Sequence, residues 1–148
     1  MDVDEGRHPV CQLRGFQLEY AAFCEANQAS YHRYAMVRLA DRVEARRCVE
    51  SVLGNLEASW VAVLASECPA AWAWNSLRTE AAHRTLSALG RSGRFHAVLR
   101  DDQADIMLLH HHLRLPLDHA ASLMGLSDHG ARALLRGAKR DLGHLMPR

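Results

Sequence analysis

The stretch that most limits the possible fold runs from Leu117 to Leu142, with the sequence LDHAASLMGLSDHGARALLRGAKRDL. Its first half places four apolar residues on one helical face: Leu117, Ala120, Ala121 and Met124. Gly125 follows, and glycine readily adopts the left-handed conformation that ends a helix. Ser127 can then cap a second helix by accepting a hydrogen bond from a free backbone N–H. The pattern predicts two short helices joined by a tight turn.

The second predicted helix separates apolar from cationic side chains. Its inward positions are Ala131, Leu134, Leu135, Ala138 and Leu142, and its outward positions are Arg132, Arg136, Lys139 and Arg140. A helix-turn-helix with a basic second helix is the arrangement that enters the DNA major groove. The predicted DNA-binding residues are Ser127, His129, Arg132, Arg136, Lys139 and Arg140. The alternative is an ordinary helical hairpin with a solvated charged face.

The remainder of the chain also favours helices, because the alternation typical of strands is absent. We therefore predict an all-α fold of two small helical domains, a four-helix domain over 15–89 and a helix-turn-helix domain over 95–146. The expected helices before the helix-turn-helix cover 15–26, 30–40, 42–65, 70–89 and 95–113, with a break in the third expected near Gly54. The boundary is set at Gly90–Gly93, which is short, polar and glycine-containing. Residues 1–14 are expected to be disordered.

Composition excludes several classes of protein. The net charge of +1 gives no support for a protein that binds polyanions over its whole surface. No segment approaches the roughly twenty apolar residues of a membrane span, and the start of the chain lacks the apolar core of a signal peptide. A cytoplasmic protein without membrane association is therefore expected. Cys11, Cys24, Cys48 and Cys68 show no CxxC pairing, so we expect reduced thiols and no zinc ribbon.

Other candidate sites give weaker signals. His110, His111 and His112 are consecutive, and successive helical residues point about 100° apart, so they cannot all face one metal ion. No metal, cofactor or catalytic residue is predicted, since no nucleophile elbow or glycine-rich phosphate loop is present. Trp60 and Trp72 are assigned to the core, with Trp72 on the same side of its helix as Leu77 and Ala81. Trp74 is assigned to a surface or interface, because two residues that are two positions apart cannot share a helical face.

The chain resembles bacterial RNA polymerase sigma factors of the extracytoplasmic-function type. Its C-terminal part matches their pattern in three runs: Leu99–Leu109 with Gln103, Ala121–Ser127, and Arg136–Leu142. Weaker matches in the N-terminal part include Tyr31–Ala35, Ala45–Leu53 and Pro69–Trp74. The resemblance covers about 15–145. It implies a first domain that binds the polymerase clamp and melts the minus-ten element, and a second that reads the minus-thirty-five element.

Three features depart from the family pattern. Arg46 and Arg47 stand where the family has an acidic pair, and Glu50-Ser51 stands where it has Gln-Glu. The segment between Trp60 and Trp72 contains no Arg, Lys or aromatic residue to hold a melted strand. The four-residue linker spans at most about 14 Å, whereas the two domains of an active factor are held far apart.

The resemblance implies transcription initiation, with promoter DNA and core RNA polymerase as partners. The predicted polymerase- or partner-binding residues are Arg46, Arg47, Glu50 and Trp74. An anti-sigma factor or another protein is a further possible partner. The alternative is a sigma-like DNA-binding or protein-interaction regulator that has lost promoter melting. Burial of the apolar face of the recognition helix by the first domain would favour this alternative, and separate domains with a free basic helix would favour initiation.

Overall fold

A computed structural model describes residues 16–87 and 94–145, and the described part is helical without a strand. The predicted all-α class is therefore confirmed. The helices are α1 Phe16–Leu39, α2 Arg42–Ala58, α3 Trp60–Ala65, α4 Pro69–Ser87, α5 Arg94–Val98, α6 Asp101–Ile106, α7 Leu117–Met124 and α8 Asp128–Leu145. A π-helical segment, Met107–His112, continues α6. No described helix is long and apolar enough to cross a membrane.

The first helix is longer than predicted. The sequence indicated helices over 15–26 and 30–40, whereas α1 is continuous over Phe16–Leu39. The side-chain amide of Asn27 donates to the carbonyl of Phe23 at 2.8 Å, so the polar residue bonds within the helix instead of ending it. The helix stops at Ala40, whose φ of 54° is left-handed.

The predicted third helix is divided into α2 and α3, but at Ser59 and not near Gly54. Asp41 caps the start of α2 by accepting a hydrogen bond from the Glu44 backbone N–H at 3.0 Å. Gly54 is exposed within the continuous helix. The missing side chain leaves no gap in the packing, because a Cβ at Gly54 would have no neighbouring atom within 4 Å.

The positions of two tryptophans are the reverse of those predicted. Trp74 is 1% exposed, and its ring contacts those of Tyr31 and Tyr34, with centroids 5.9 and 4.7 Å away. Trp72 is 40% exposed. The error came from placing Trp72 on the face of Leu77, since a spacing of five residues rotates a helical position by about 140°. Trp74, three residues before Leu77, shares its buried face. Trp60, 6% exposed, lies in the core as predicted.

One cluster of buried side chains extends through both predicted domains. Helix α4 packs against α1 and α2 on one side and against α7 on another, while α6 and α7 support α8. Arg33 of α1 also donates to the carbonyl of Leu113, 3.1 Å away. The N-terminal half (α1 to α4) and the C-terminal half (α5 to α8) thus share a core within the described ranges. The boundary predicted at 90–93 and the N-terminal residues 1–14 lie outside these ranges.

Candidate nucleic-acid interface

The turn between α7 and α8 has the geometry predicted from its residues. Gly125 has a φ of 76° and ends α7. The N–H of Leu126 donates to the carbonyl of Ala121 at 2.8 Å, which satisfies one of the free carbonyls at the helix end. Ser127 accepts a hydrogen bond from the Gly130 N–H at 2.9 Å and caps α8. These local bonds determine where the second helix begins.

Helix α8 is held in place by an apolar face and one polar bond. Ala131, Leu135 and Ala138 are buried on the side that faces α6 and α7. The buried Gln103 of α6 donates its amide N–H to the Asp141 carboxylate at 2.9 Å. Because this bond is specific in direction, it also limits rotation of α8 about its axis. The outward face of the helix is therefore defined by the packing of its inward face.

The outward face carries the predicted basic residues. All six predicted DNA-binding side chains are exposed: Ser127, His129, Arg132, Arg136, Lys139 and Arg140. At 100° per residue, the last five fall within an arc of roughly 100° on α8. The buried positions Ala131, Leu135 and Ala138 fall in a separate arc that does not overlap it. The structure thus brings the predicted residues together on one accessible surface, which we call the basic face of α8.

The basic face has few acidic neighbours. Arg140 lies 3.7 Å from the carboxylate of Asp141; the Arg140 side chain is largely exposed and that of Asp141 is half-buried. Arg132, Arg136 and Lys139 form no ion pair within the described residues. Asp128, at the first turn of α8, is the other acid on this helix and is exposed. A row of unpaired cations on a helix of this kind can neutralise phosphates of duplex DNA.

The residues predicted to bind polymerase do not form one surface. Arg46, Arg47 and Glu50 are exposed on α2, and Arg47 lies 3.6 Å from Glu44. Trp74 is buried, so the prediction that it lies at a surface is wrong. Its indole N–H points at a carboxylate within the molecule, and a partner could not reach it without unfolding of the core.

The sequence did not point to Asp105 of α6, a carboxylate with four side-chain hydrogen-bond partners among the described residues. This carboxylate is fully buried. Its Oδ1 accepts hydrogen bonds from the Tyr34 hydroxyl and the His96 Nε2, both at 2.7 Å. Its Oδ2 accepts from the Trp74 Nε1 at 2.8 Å and the Arg78 Nε at 2.7 Å. We call these five residues the Asp105 network, and they join α1, α4, α5 and α6.

The electrostatics of the Asp105 network favour an ionised carboxylate. Burial alone would raise the pKa of Asp105, but the hydrogen bond from His96 and the charge of Arg78 outweigh it and hold the pKa below its usual value. Burial raises the pKa of Tyr34 well above normal, and the neighbouring Asp105 raises it further, so its hydroxyl remains a donor. Arg38 extends the network by donating to the Tyr34 oxygen at 2.8 Å.

Two of the three histidines of the π-helical segment have structural partners, and His112 is exposed. His110 lies 2.9 Å, through Nδ1, from the Leu115 carbonyl, and the ring of His111 contacts that of Phe95. Within the described ranges, no three His, Cys, Asp or Glu side chains are grouped closely enough to hold a metal ion.

Comparisons of the chain with family models, with curated proteins and with solved structures found no match.

Proposed function

We propose that this protein is a sigma-like DNA-binding regulator, which binds duplex DNA through α8 while its two halves stay packed together. The observation that carries the proposal is the basic face of α8, exposed and supported from behind by α6 and α7. In a helix-turn-helix this is the face that enters the major groove. Arg132, near the helix start, would approach base edges, and Arg136, Lys139 and Arg140 would contact phosphates.

The regulator is favoured over an initiation factor by the contacts between the halves. An initiation factor of the family that the chain resembles holds its two domains far apart on the polymerase. Here Asp105 of the second half bonds to Tyr34, Trp74 and Arg78 of the first. Separating the halves would break these three hydrogen bonds and expose the apolar core that the halves share to water. This cost opposes an extended arrangement.

Initiation is the second candidate, and one observation favours it. Arg46, Arg47 and Glu50 are exposed on α2, so the surface that would contact polymerase is accessible. In the family that the chain resembles this helix is acidic, and reversing the charge of one partner at an interface costs several kcal/mol. The two candidates therefore differ in whether α2 binds core RNA polymerase.

A pair of double variants tests both candidates. Arg136→Ala/Lys139→Ala removes two charges from α8, and Arg46→Ala/Arg47→Ala removes the same charge from exposed positions of α2. Binding to a labelled 20-base-pair duplex is measured by fluorescence anisotropy between 50 and 200 mM salt. We expect only the α8 variant to bind weakly, with a log–log salt slope reduced by about 2, since each lost phosphate contact removes roughly one unit.

Two results would contradict the proposal. One is the absence of duplex binding at 50 mM salt, and the other is an equal loss of binding in the α2 variant, which would indicate attraction by net charge alone. A pull-down with core RNA polymerase uses the same proteins. If the wild type is retained and Arg46→Ala/Arg47→Ala is not, initiation replaces regulation as the better proposal.

A further inference from the structure

Trp72 is an aromatic side chain that the fold leaves in solvent. It is 40% exposed, whereas Trp60 and Trp74 are 6% and 1% exposed. The other large apolar residues exposed to this degree in the described ranges are valines, namely Val43, Val61 and Val98. An exposed indole is costly to solvate and is enriched at binding surfaces, because it offers a large apolar area together with one N–H donor.

The residue before Trp72 in α4 lies against the turn of the helix-turn-helix. This residue, Ala71, touches that turn so closely that a Cβ added to Gly125 would lie 2.6 Å from the Ala71 backbone nitrogen. On the same side of α4, the Cys68 sulfur lies 3.8 Å from the Gly125 carbonyl oxygen. The first turn of α4 and the turn that precedes α8 are therefore in direct backbone contact. Two residues, Leu126 and Ser127, separate Gly125 from the first residue of α8, Asp128.

The exposed side of α4 next to Trp72 suits contact with a polyanion. Trp72, Asn75 and Thr79 are exposed at spacings of three and four residues, which places them in one row. None of the three is acidic, and all carry a group that can donate a hydrogen bond to a phosphate oxygen. Asn75 follows Ala71 by one helical turn and so lies toward the helix-turn-helix.

We infer that the DNA interface extends from α8 across the Gly125 turn onto α4, where Trp72 packs against the sugar-phosphate backbone and Asn75 lies near a phosphate. The inference rests on the proposed function, because it assumes a duplex on the basic face of α8. It assigns a second element to the interface, taken from the half of the chain that lacks the helix-turn-helix. The packing of the two halves would then itself be part of DNA binding.

Tryptophan fluorescence tests the position of Trp72 directly. Acrylamide quenches exposed indoles, so in the free protein most of the quenching comes from Trp72, and Trp72→Phe identifies that share. Adding a saturating 20-base-pair duplex should shield Trp72 and reduce the quenching of the wild type toward that of Trp72→Phe. Saturation is established separately by anisotropy of a label on the DNA, so binding and shielding are independent readouts.

A matched pair of charge variants tests whether the sugar-phosphate backbone of the DNA passes next to α4. Asn75→Asp adds one negative charge on the exposed side of α4 with almost no change in shape. Asn55→Asp makes the same change at an exposed position of α2, which packs mainly against α1 and α4. We expect Asn75→Asp to weaken duplex binding about fivefold or more relative to Asn55→Asp, the effect of repulsion next to a phosphate at low salt.

The outcomes separate the inference from the function on which it rests. Duplex binding with shielding of Trp72 and a selective loss in Asn75→Asp supports the inference. Duplex binding with Trp72 still quenched, and with both aspartate variants equal, overturns it and leaves the proposed function standing. No duplex binding by the wild type overturns both. Thermal unfolding of each variant confirms that it is folded before these results are compared.

Discussion

The indole N–H of Trp74 donates to the buried carboxylate of Asp105 at 2.8 Å, across 31 positions of the chain. Trp74 belongs to α4 and Asp105 to α6, so one hydrogen bond joins the two predicted domains at their shared core. Tyr34 and Arg78 add further bonds from the N-terminal half to the same carboxylate. The relative placement of α4 and α6 is thus determined by a buried ion and its donors as well as by apolar packing.

Asp105→Asn should strongly destabilise the fold. Asparagine keeps the size of the side chain but removes the charge, and its NH₂ group would face donors. We expect the free energy of unfolding to fall by about 3 kcal/mol or more, as when one partner of a buried pair is lost. Chemical denaturation measures this loss. Asp118→Asn, at an exposed position of α7, is the control and should change stability by less than about 0.5 kcal/mol. Equal stability of the two variants would contradict the role of the network.

Stability should also fall in acid through Asp105. Its pKa is lowered in the folded protein, so between the folded pKa and the unfolded value of about 3.9 the unfolded chain binds more protons. The stabilisation by Asp105 is therefore complete above about pH 4 and is lost as the pH falls through the folded pKa. Denaturation from pH 7 to 3 should show a constant difference between wild type and Asp105→Asn that shrinks only at the acidic end. If the difference in stability instead shrinks near neutral pH, a titrating group other than Asp105 is responsible for it.

Helices α7 and α8 and the turn between them could be predicted because their signals are local. Gly125 and Ser127 act on backbone groups within four residues of themselves. The same holds for Asp41, which caps α2 three residues ahead. The alternation of apolar and basic residues on α8 likewise depends only on helical spacing. Such features need no knowledge of the rest of the fold.

The Asp105 network could not be predicted in this way. The carboxylate lies 71 positions from Tyr34 and 27 from Arg78, and nothing in its neighbourhood in the sequence marks it as buried. Asp101 and Asp102 precede it in the same helix, so all three look like a solvated acidic start. Trp74 was misplaced for a different reason, because Trp72 was placed on the helical face of Leu77, although Trp74 shares that face at a spacing of three residues. Tertiary contacts decided the burial of Asp105, and their signal is absent from local periodicity.

The cap at the start of α8 should contribute measurably to stability. Ser127→Ala removes the acceptor for the Gly130 N–H and should lower the free energy of unfolding by about 1 kcal/mol. Ser127→Asp should retain most of the stability, because its carboxylate can accept the same bond and also favours a helix N-terminus. Ser122→Ala, on the exposed side of α7, provides the control. The cap assignment fails if Ser127→Ala and Ser122→Ala unfold at the same denaturant concentration.

Two glycine-to-alanine substitutions should change the free energy of unfolding in opposite directions. Gly54 lies inside α2, and a Cβ there would meet nothing within 4 Å. Alanine reduces the freedom of the unfolded chain and favours the helix, so Gly54→Ala should stabilise the protein by about 0.5–1 kcal/mol. Gly125 instead has a φ of 76° and lies against the Ala71 backbone. Gly125→Ala should therefore destabilise by more than the roughly 1 kcal/mol of left-handed strain alone.

Any destabilisation of Gly125→Ala beyond the left-handed strain measures the close contact between α4 and the turn at Gly125. Gly125→Asn separates the two contributions, since asparagine tolerates the left-handed conformation but still carries a Cβ. If the Ala71 contact is as close as the structure shows, Gly125→Asn should remain clearly destabilised in thermal unfolding. Ala71→Gly should not rescue either variant, because the nearest atoms to the added Cβ include the Ala71 nitrogen and Cα at 2.6 and 2.8 Å. Recovery of wild-type stability in Gly125→Asn would mean that the turn and α4 do not touch, and that the halves are held mainly through Asp105.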